Sequence, residues 1–235
     1  MEEKEVVSFK KREFAVREMI KKDLGKGKVS KVRIQYTPVG EKIIISTHKP
    51  GLVIGRKGEK IEELTQMLKR KFKLENLHIE IDEIKKPEFD AQIMADEIAL
   101  ALERFGPVRF KVASYRTLQK IIQAGALGVE IRLNGKLPGA RAKSWRFAQG
   151  ILKKTGDSAK VVDRAQARAE TKPGTVGIKV SILSPYAILK DKIVITDELL
   201  RKLKENSEKP KIVSVKKKTP RRKTDKKINS EEEME

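Results

Sequence analysis

The segment Gly51-Leu-Val-Ile-Gly-Arg-Lys-Gly58 constrains this chain more than any other. Gly55 and Gly58 stand at the head of a run in which Ile61, Leu64, Met67, Leu68 and Phe72 mark one helical face. A turn that feeds a helix leaves backbone N–H groups and the positive end of the helix dipole facing whatever fills it. Glycine has no Cβ to hold a phosphodiester away, and Arg56, Lys57 and Lys60 add charge without demanding a particular base. Val53 and Ile54 are expected to anchor the loop in a core. Taken alone, Gly-x-x-Gly also fits any helix preceded by a tight turn, so both readings stay open. A nucleotide-binding P-loop does not fit, because no Gly-Lys pair here follows a glycine at the required spacing or precedes Ser or Thr.

The flanks give this segment its setting. Residues 8–24 place Phe9, Phe14, Val16, Met19, Ile20 and Leu24 at helical spacing, and Gly25-Lys-Gly ends the pattern. Val32 to Tyr36 alternates with period two, Pro38-Val-Gly40 supplies a turn, and Ile43 to Ile45 follows, which predicts a hairpin. Leu77, Ile79 and Ile81 predict a further strand. The first unit is therefore helix, strand, strand, Gly loop, helix, strand, closing near residue 84. Lys85-Lys-Pro87 marks a boundary, and Asp90 is an expected N-cap for a helix carrying Ile93, Met94, Ile98, Leu102 and Phe105, stopped by Gly106-Pro107. A second helix over about 108–124 carries Phe110, Ala113, Leu118, Ile121 and Ile122. Val129, Ile131 and Leu133 alternate with Glu130 and Arg132, and Asn134-Gly135 signals a turn. Residues 136–160 are hard to assign. Strands are expected near 161–169 and at Ile178–Leu183, with a short strand and helix over Ile193–Lys204.

Charge narrows the function. The 235 residues carry 54 Lys and Arg against 33 Asp and Glu, a net +21. Residues 209–227 hold +9 of this and residues 1–208 keep +16, so the folded part is itself basic. Such an excess calls for a polyanion, most commonly nucleic acid. The absence of cysteine excludes disulfide scaffolds, thiol catalysis and Cys-ligated metal. No apolar run reaches the ~20 residues of a spanning helix, and the start does not resemble a signal peptide. His48 and His78 have no ligand-like spacing, so neither a metal site nor any other cofactor is expected, and a small-molecule substrate is not expected either.

Two further basic stretches are candidates. Arg109, Arg116 and Lys120, at offsets of 7 and 11 residues, fall within about 40° of arc on an ideal helix, in a stretch free of acids from 106 to 129. The segment from Gly135 to Phe147 interleaves Lys136, Arg141, Lys143 and Arg146 with Trp145 and Phe147, which suits phosphate contact with some stacking on bases. Trp145 equally suits a core anchor. Beyond Glu205, Lys, Pro, Ser and Thr leave little to bury, predicting a disordered basic tail that turns acidic at its end.

In order, these pieces resemble a known family. The Gly loop between a hairpin and a helix–strand pair is similar to a K-homology (KH) RNA-binding domain of the second, prokaryotic topology. Together with Gly125-Ala-Leu-Gly-Val-Glu-Ile, Gly135-Lys-Leu, Arg141-Ala-Lys-Ser-Trp and Gly174-Thr-Val-Gly-Ile-Lys-Val, it makes residues 5–205 resemble ribosomal protein three of the small subunit, archaeal and eukaryotic type. The resemblance implies an α+β protein: a type II KH domain over 1–86, a second α/β domain over 87–205 with helices on a mixed sheet, and a flexible tail over 206–235. It implies a cytoplasmic structural constituent of the subunit head, bound to ribosomal RNA and neighbouring head proteins, with no catalytic role and no membrane. It also implies that basic residues of the helix at 108–124 face incoming messenger RNA and support its unwinding. Arg116 matches that pattern best, Lys111 and Lys120 are near equivalents, and Val112 stands where relatives often have a second arginine. Lys111 lies well around the helix from Arg116 and is expected to make a different contact. The alternatives are a non-ribosomal KH regulator and a DNA-repair lyase, for which no lysine stands out.

Overall fold

The computed structural model describes residues 2–38, 40–73, 76–189 and 201, and every element below lies within the unit Met1–Asp191. The first helix, α1, runs Glu2–Leu24, six residues longer at its start than the apolar spacing predicts. Glu3 and Glu5 near its N-terminus suit the positive end of the dipole, so charge extends the helix where there is nothing to bury. Val16, Ile20 and Leu24 form the buried stripe, one helical turn apart. The next inward position back is Glu13, 7% exposed and held by Lys10 and Arg17, while Phe9 and Phe14 face outward, against expectation. Gly25, at φ +80°, ends the helix.

Strands β1 (Lys31–Thr37) and β2 (Gly40–Thr47) form the expected antiparallel hairpin. Short helix α2 (Pro50–Ile54), helix α3 (Glu59–Phe72) and strand β3 (Leu77–Glu83) follow, and β3 returns parallel to β2, giving the order β1-β2-β3. Ile43 and Ile45 of β2 pack with Ile20, Val53, Leu64 and Leu68 in one core. α2 was invisible to periodicity because five residues make little more than one turn.

A 3₁₀ turn at Pro87–Phe89 leads to α4 (Ala91–Phe105), capped as expected by Asp90, whose carboxylate accepts from the Gln92 and Ile93 N–H groups at 2.9 and 3.3 Å. Gly106, at φ +80°, stops it, leaving Phe105 exposed. A second 3₁₀ turn, Pro107–Arg109, precedes α5 (Phe110–Gln123). Strands β4 (Gly128–Gly135), β5 (Lys143–Gly150), β6 (Asp163–Thr171) and β7 (Gly174–Leu183) complete the unit in the order β5-β4-β7-β6.

Every pairing in this second sheet is antiparallel, so the mixed sheet expected there is corrected; the sheet that mixes directions is the first. Asn134-Gly135 is not a turn either. Both residues continue β4, opposite Ser144 and Lys143, and the chain reverses through 136–142, where Leu137 is fully buried. α4 and α5 cover one face of the sheet, with Ile98, Leu102, Phe110, Leu118 and Ile121 packed on Ile131, Leu133, Ile178 and Val180. Contacts join this half to the first: the Gly27 N–H donates to Asp96 at 2.9 Å, Lys26 pairs with Glu103 at 2.6 Å and Lys31 with Asp163 at 3.0 Å. The strand and helix expected over 193–204 and the tail beyond 206 lie outside the described residues, Arg201 apart. Among the described residues no helix is long and apolar enough to cross a membrane.

Candidate nucleic-acid interface

The Gly segment is more ordered than an open loop. After α2, Gly55 takes φ +77° and its N–H bonds back to the Gly51 carbonyl, so this donor is not available to a ligand. Arg56-Lys57-Gly58 then forms a 3₁₀ turn with Lys57 at φ +54° and Gly58 at φ +87°. A side chain other than glycine is strained at such angles. A Cβ on Gly58 would project into open space, whereas one on Gly55 would meet the Lys60 stem at 2.8 Å. Arg56, Lys57 and Lys60 are exposed. Val53 enters the core as expected, but Ile54 does not: it is 38% exposed, because one residue of helix rotates it about 100° from Val53. Leu52, also exposed, adds apolar surface beside the cations.

The row expected on α5 is redistributed. Arg109 falls in the 3₁₀ turn before the helix and sits over the Phe105 ring at 5.9 Å, beside Arg104 at 5.4 Å. Lys120 is paired with Glu97 of α4, an acid that the acid-free stretch 106–129 could not reveal. Arg116 is exposed, with no ion pair among the described residues. Lys111 lies 4.9 Å over the Trp145 ring, a contact separate from Arg116. Tyr115 is 54% exposed and stacks edge-on against Phe147.

The segment 135–147 is split between two faces. Trp145 packs on Phe110 at 5.3 Å and Phe147 is buried, both on the helix side, so Trp145 acts as an anchor. Lys136 and Arg141 are exposed on the connection, and Lys143 begins β5. Arg146 points to the opposite face of the sheet, where it meets Glu130.

Glu130 is the residue that sequence reasoning missed. Alternation along β4 marks it as outward, yet it is 4% exposed beneath three cations. Its carboxylate accepts from Arg132, from Arg146 at 3.0 Å and from Lys154 at 2.9 Å. Burial works to raise its pKa, but the hydrogen bonds from Lys154, Arg146 and Arg132 outweigh burial and bring it to about 2. The available signal was the alternate spacing of cations on strands: Arg132 on one, Arg164 and Arg168 on another, Lys179 on a third.

Comparison with known proteins agrees with this layout. A KH domain family matches residues 15–89, and the family described as ribosomal protein S3, C-terminal domain, matches residues 98–182. Small ribosomal subunit protein uS3 of Methanocaldococcus jannaschii is 40% identical over 182 residues, spanning 77% of this chain and 86% of the relative. The uS3 of Methanothermobacter thermautotrophicus is 38% identical over 193 residues, covering 82% and 74%. That of Methanobrevibacter smithii is 35% identical over 196 residues, covering 83% and 78%. With both domains matched in order and identity sustained across most of the chain, the protein belongs to the uS3 family of small ribosomal subunit proteins.

Proposed function

We propose that this constituent of the small subunit sits in the subunit head, binds small-subunit ribosomal RNA, contacts neighbouring head proteins, and lines the channel by which messenger RNA enters. The family is one of structural ribosomal components, and the chain is not an enzyme. In this reading residues 1–86 act as the KH domain, residues 87–205 as the second domain and 206–235 as a basic, then acidic, extension, working in the cytoplasm. Two separate hydrophobic cores support the partition.

The observation that carries the reading is the turn at Gly55–Gly58, where open space above Gly58 is flanked by exposed Arg56, Lys57 and Lys60. These side chains contact phosphate, while Leu52 and Ile54 offer apolar surface to a base. Arg116 faces the messenger as it enters, Lys120 and Lys111 act beside it with part of their charge already engaged, and Arg109 contributes from the preceding turn. Lys136, Arg141, Lys143 and Arg146 contact ribosomal RNA. Val112 is apolar and 68% exposed on α5, so the messenger meets one strong cation there rather than two.

The test is sedimentation with the small subunit in a sucrose gradient, followed by chemical footprinting of the subunit RNA with and without the protein. Cosedimentation with discrete, saturable protection in the RNA of the head supports the proposal. Binding without a preferred site, or sedimentation apart from the subunit, contradicts it.

A further inference from the structure

The face of the second sheet that α4 and α5 leave bare carries a row of cations in excess of the acids beside them, and we propose that this face is a further RNA-backbone surface, separate from the Gly55–Gly58 turn and from α5. Register places Arg146 on β5 directly opposite Arg132 on β4, and Arg132 directly opposite Lys179 on β7. Adjacent strands lie about 4.8 Å apart, so three positive side chains stand in a row roughly 10 Å long. Arg164 and Arg168 on β6 flank the row, and Lys154 reaches it from the segment after β5.

Like charges directly opposite one another on a sheet work against the fold. Glu130 offsets part of that cost by holding Arg132, Arg146 and Lys154, but Lys179 and Arg164 make no ion pair among the described residues. Arg132, Arg146 and Lys154 remain 48%, 56% and 48% exposed. Glu130 thus organises the cations while leaving much of each side chain open to an outside ligand. The single outward acid on β6, Glu170, lies 3.8 Å from Arg168.

The chemistry of the face selects its occupant. Outward positions of the four strands hold Arg, Lys, Gln, Ser, Thr, Asn, Gly and Ala, the acids Glu130 and Glu170, and a fully buried Leu183 at one end, with no aromatic ring, so there is no platform on which to stack a base and no exposed apolar centre on the strands of the kind that protein interfaces bury. An open cavity of about 560 Å³ runs among Glu130, Arg132, Lys154, Arg164 and Lys179, with Leu152, Ala165 and Val180 also in its wall. Extended and positively charged, the surface fits a sugar–phosphate backbone read by charge rather than by sequence. Such a role presupposes the RNA-binding function proposed above and extends it to Arg132, Lys154, Arg164, Arg168 and Lys179.

The test compares the full chain with the triple variant Arg164→Gln, Arg168→Gln, Lys179→Gln and with a control of equal charge loss on α1, Lys11→Gln, Lys21→Gln, Lys22→Gln. Affinity for a transcript of archaeal small-subunit ribosomal RNA is measured across a series of salt concentrations, and circular dichroism melts verify folding. All three positions of the sheet variant are exposed, so both variants should fold. Each lost phosphate contact flattens the dependence of log affinity on log salt by about one. The sheet variant is expected to lose two to three in slope and about tenfold or more in affinity, and the α1 control less than one in slope. Equal losses in both variants, or none in the sheet variant, would overturn the proposal. Retained RNA affinity together with loss of a neighbouring protein during subunit reconstitution would also overturn it, in favour of a protein occupant. Absence of RNA binding by the unsubstituted chain would instead remove the RNA-binding function itself, and this surface with it.

Discussion

The Gly55–Gly58 turn and the bare face of the second sheet both present positive charge, but they hold it by different means. In the turn, three exposed cations sit within five residues of chain, around left-handed backbone angles at Lys57 and Gly58. On the sheet, the cations come from residues up to 47 apart between Arg132 and Lys179, and one buried carboxylate orders three of them. A local device depends on backbone conformation, whereas a register device depends on the whole sheet. The first should fail mainly through binding, at a small cost in stability, and the second through stability and binding together.

The largest effect is expected from Glu130→Ala. Removing it leaves Arg132, Arg146 and Lys154 crowded without their counter-charge; as these cations are half exposed, the cost should fall below that of a fully buried pair, at about 2–3 kcal/mol. Urea denaturation checks this, and an unchanged midpoint would show that the carboxylate organises nothing.

Acid should reproduce the same loss without mutation. The Glu130 pKa is lower in the folded than in the unfolded chain, so its contribution is fully present above the ordinary value of 4.5 and is lost as pH falls toward about 2. Denaturation midpoints measured from pH 6 to pH 2 should fall in that window, and the fall should be smaller in Glu130→Gln. Equal pH dependence in the two proteins would remove Glu130 as the cause.

Much of the fold could be read before any coordinates. Asp90 caps α4, Gly25 and Gly106 stop their helices, and the β1–β2 hairpin and β7 lie where period-two alternation puts them. These features depend on neighbours in the chain. Most of the failures in the candidate site depend on partners brought from elsewhere, and that of Arg109 on a local proline. Lys120 lost its place in a free basic face to Glu97 on another helix, Arg109 left that face because Pro107 opens a 3₁₀ turn, and Asn134-Gly135 was drawn into a ladder between β5 and β7. Glu130 was hidden for the same reason. Nothing along β4 alone shows that Arg146 and Lys154 will close over it.

A middle-sized effect separates the two devices. Gly58→Asp should cost about 1 kcal/mol of stability, from the strain of φ +87°, while placing a carboxylate where phosphate approaches. Binding of the full chain to single-stranded RNA should weaken about tenfold with the melting profile of the second half unchanged. Equal affinity would dismiss the turn as a phosphate clamp.

The smallest structural effect is expected from Arg116→Ala with Lys120→Ala. The Lys120–Glu97 pair is about 40% exposed on both sides and should contribute no more than about 0.5 kcal/mol. Assembly into subunits should be intact, yet translation through a messenger hairpin should slow several-fold. Passage at the unsubstituted rate would end the assignment of α5 to the messenger path.

Because the chain has no cysteine, a single one can be introduced at each surface without a background reaction. The most direct measurement is hydroxyl-radical cleavage from an iron chelate tethered to Lys57→Cys or to Lys179→Cys in reconstituted small subunits. Discrete cuts in small-subunit RNA are expected from both positions, in two different sets of nucleotides. Cuts from residue 57 alone would contradict the sheet surface, and no cuts from either would contradict RNA binding through these faces altogether.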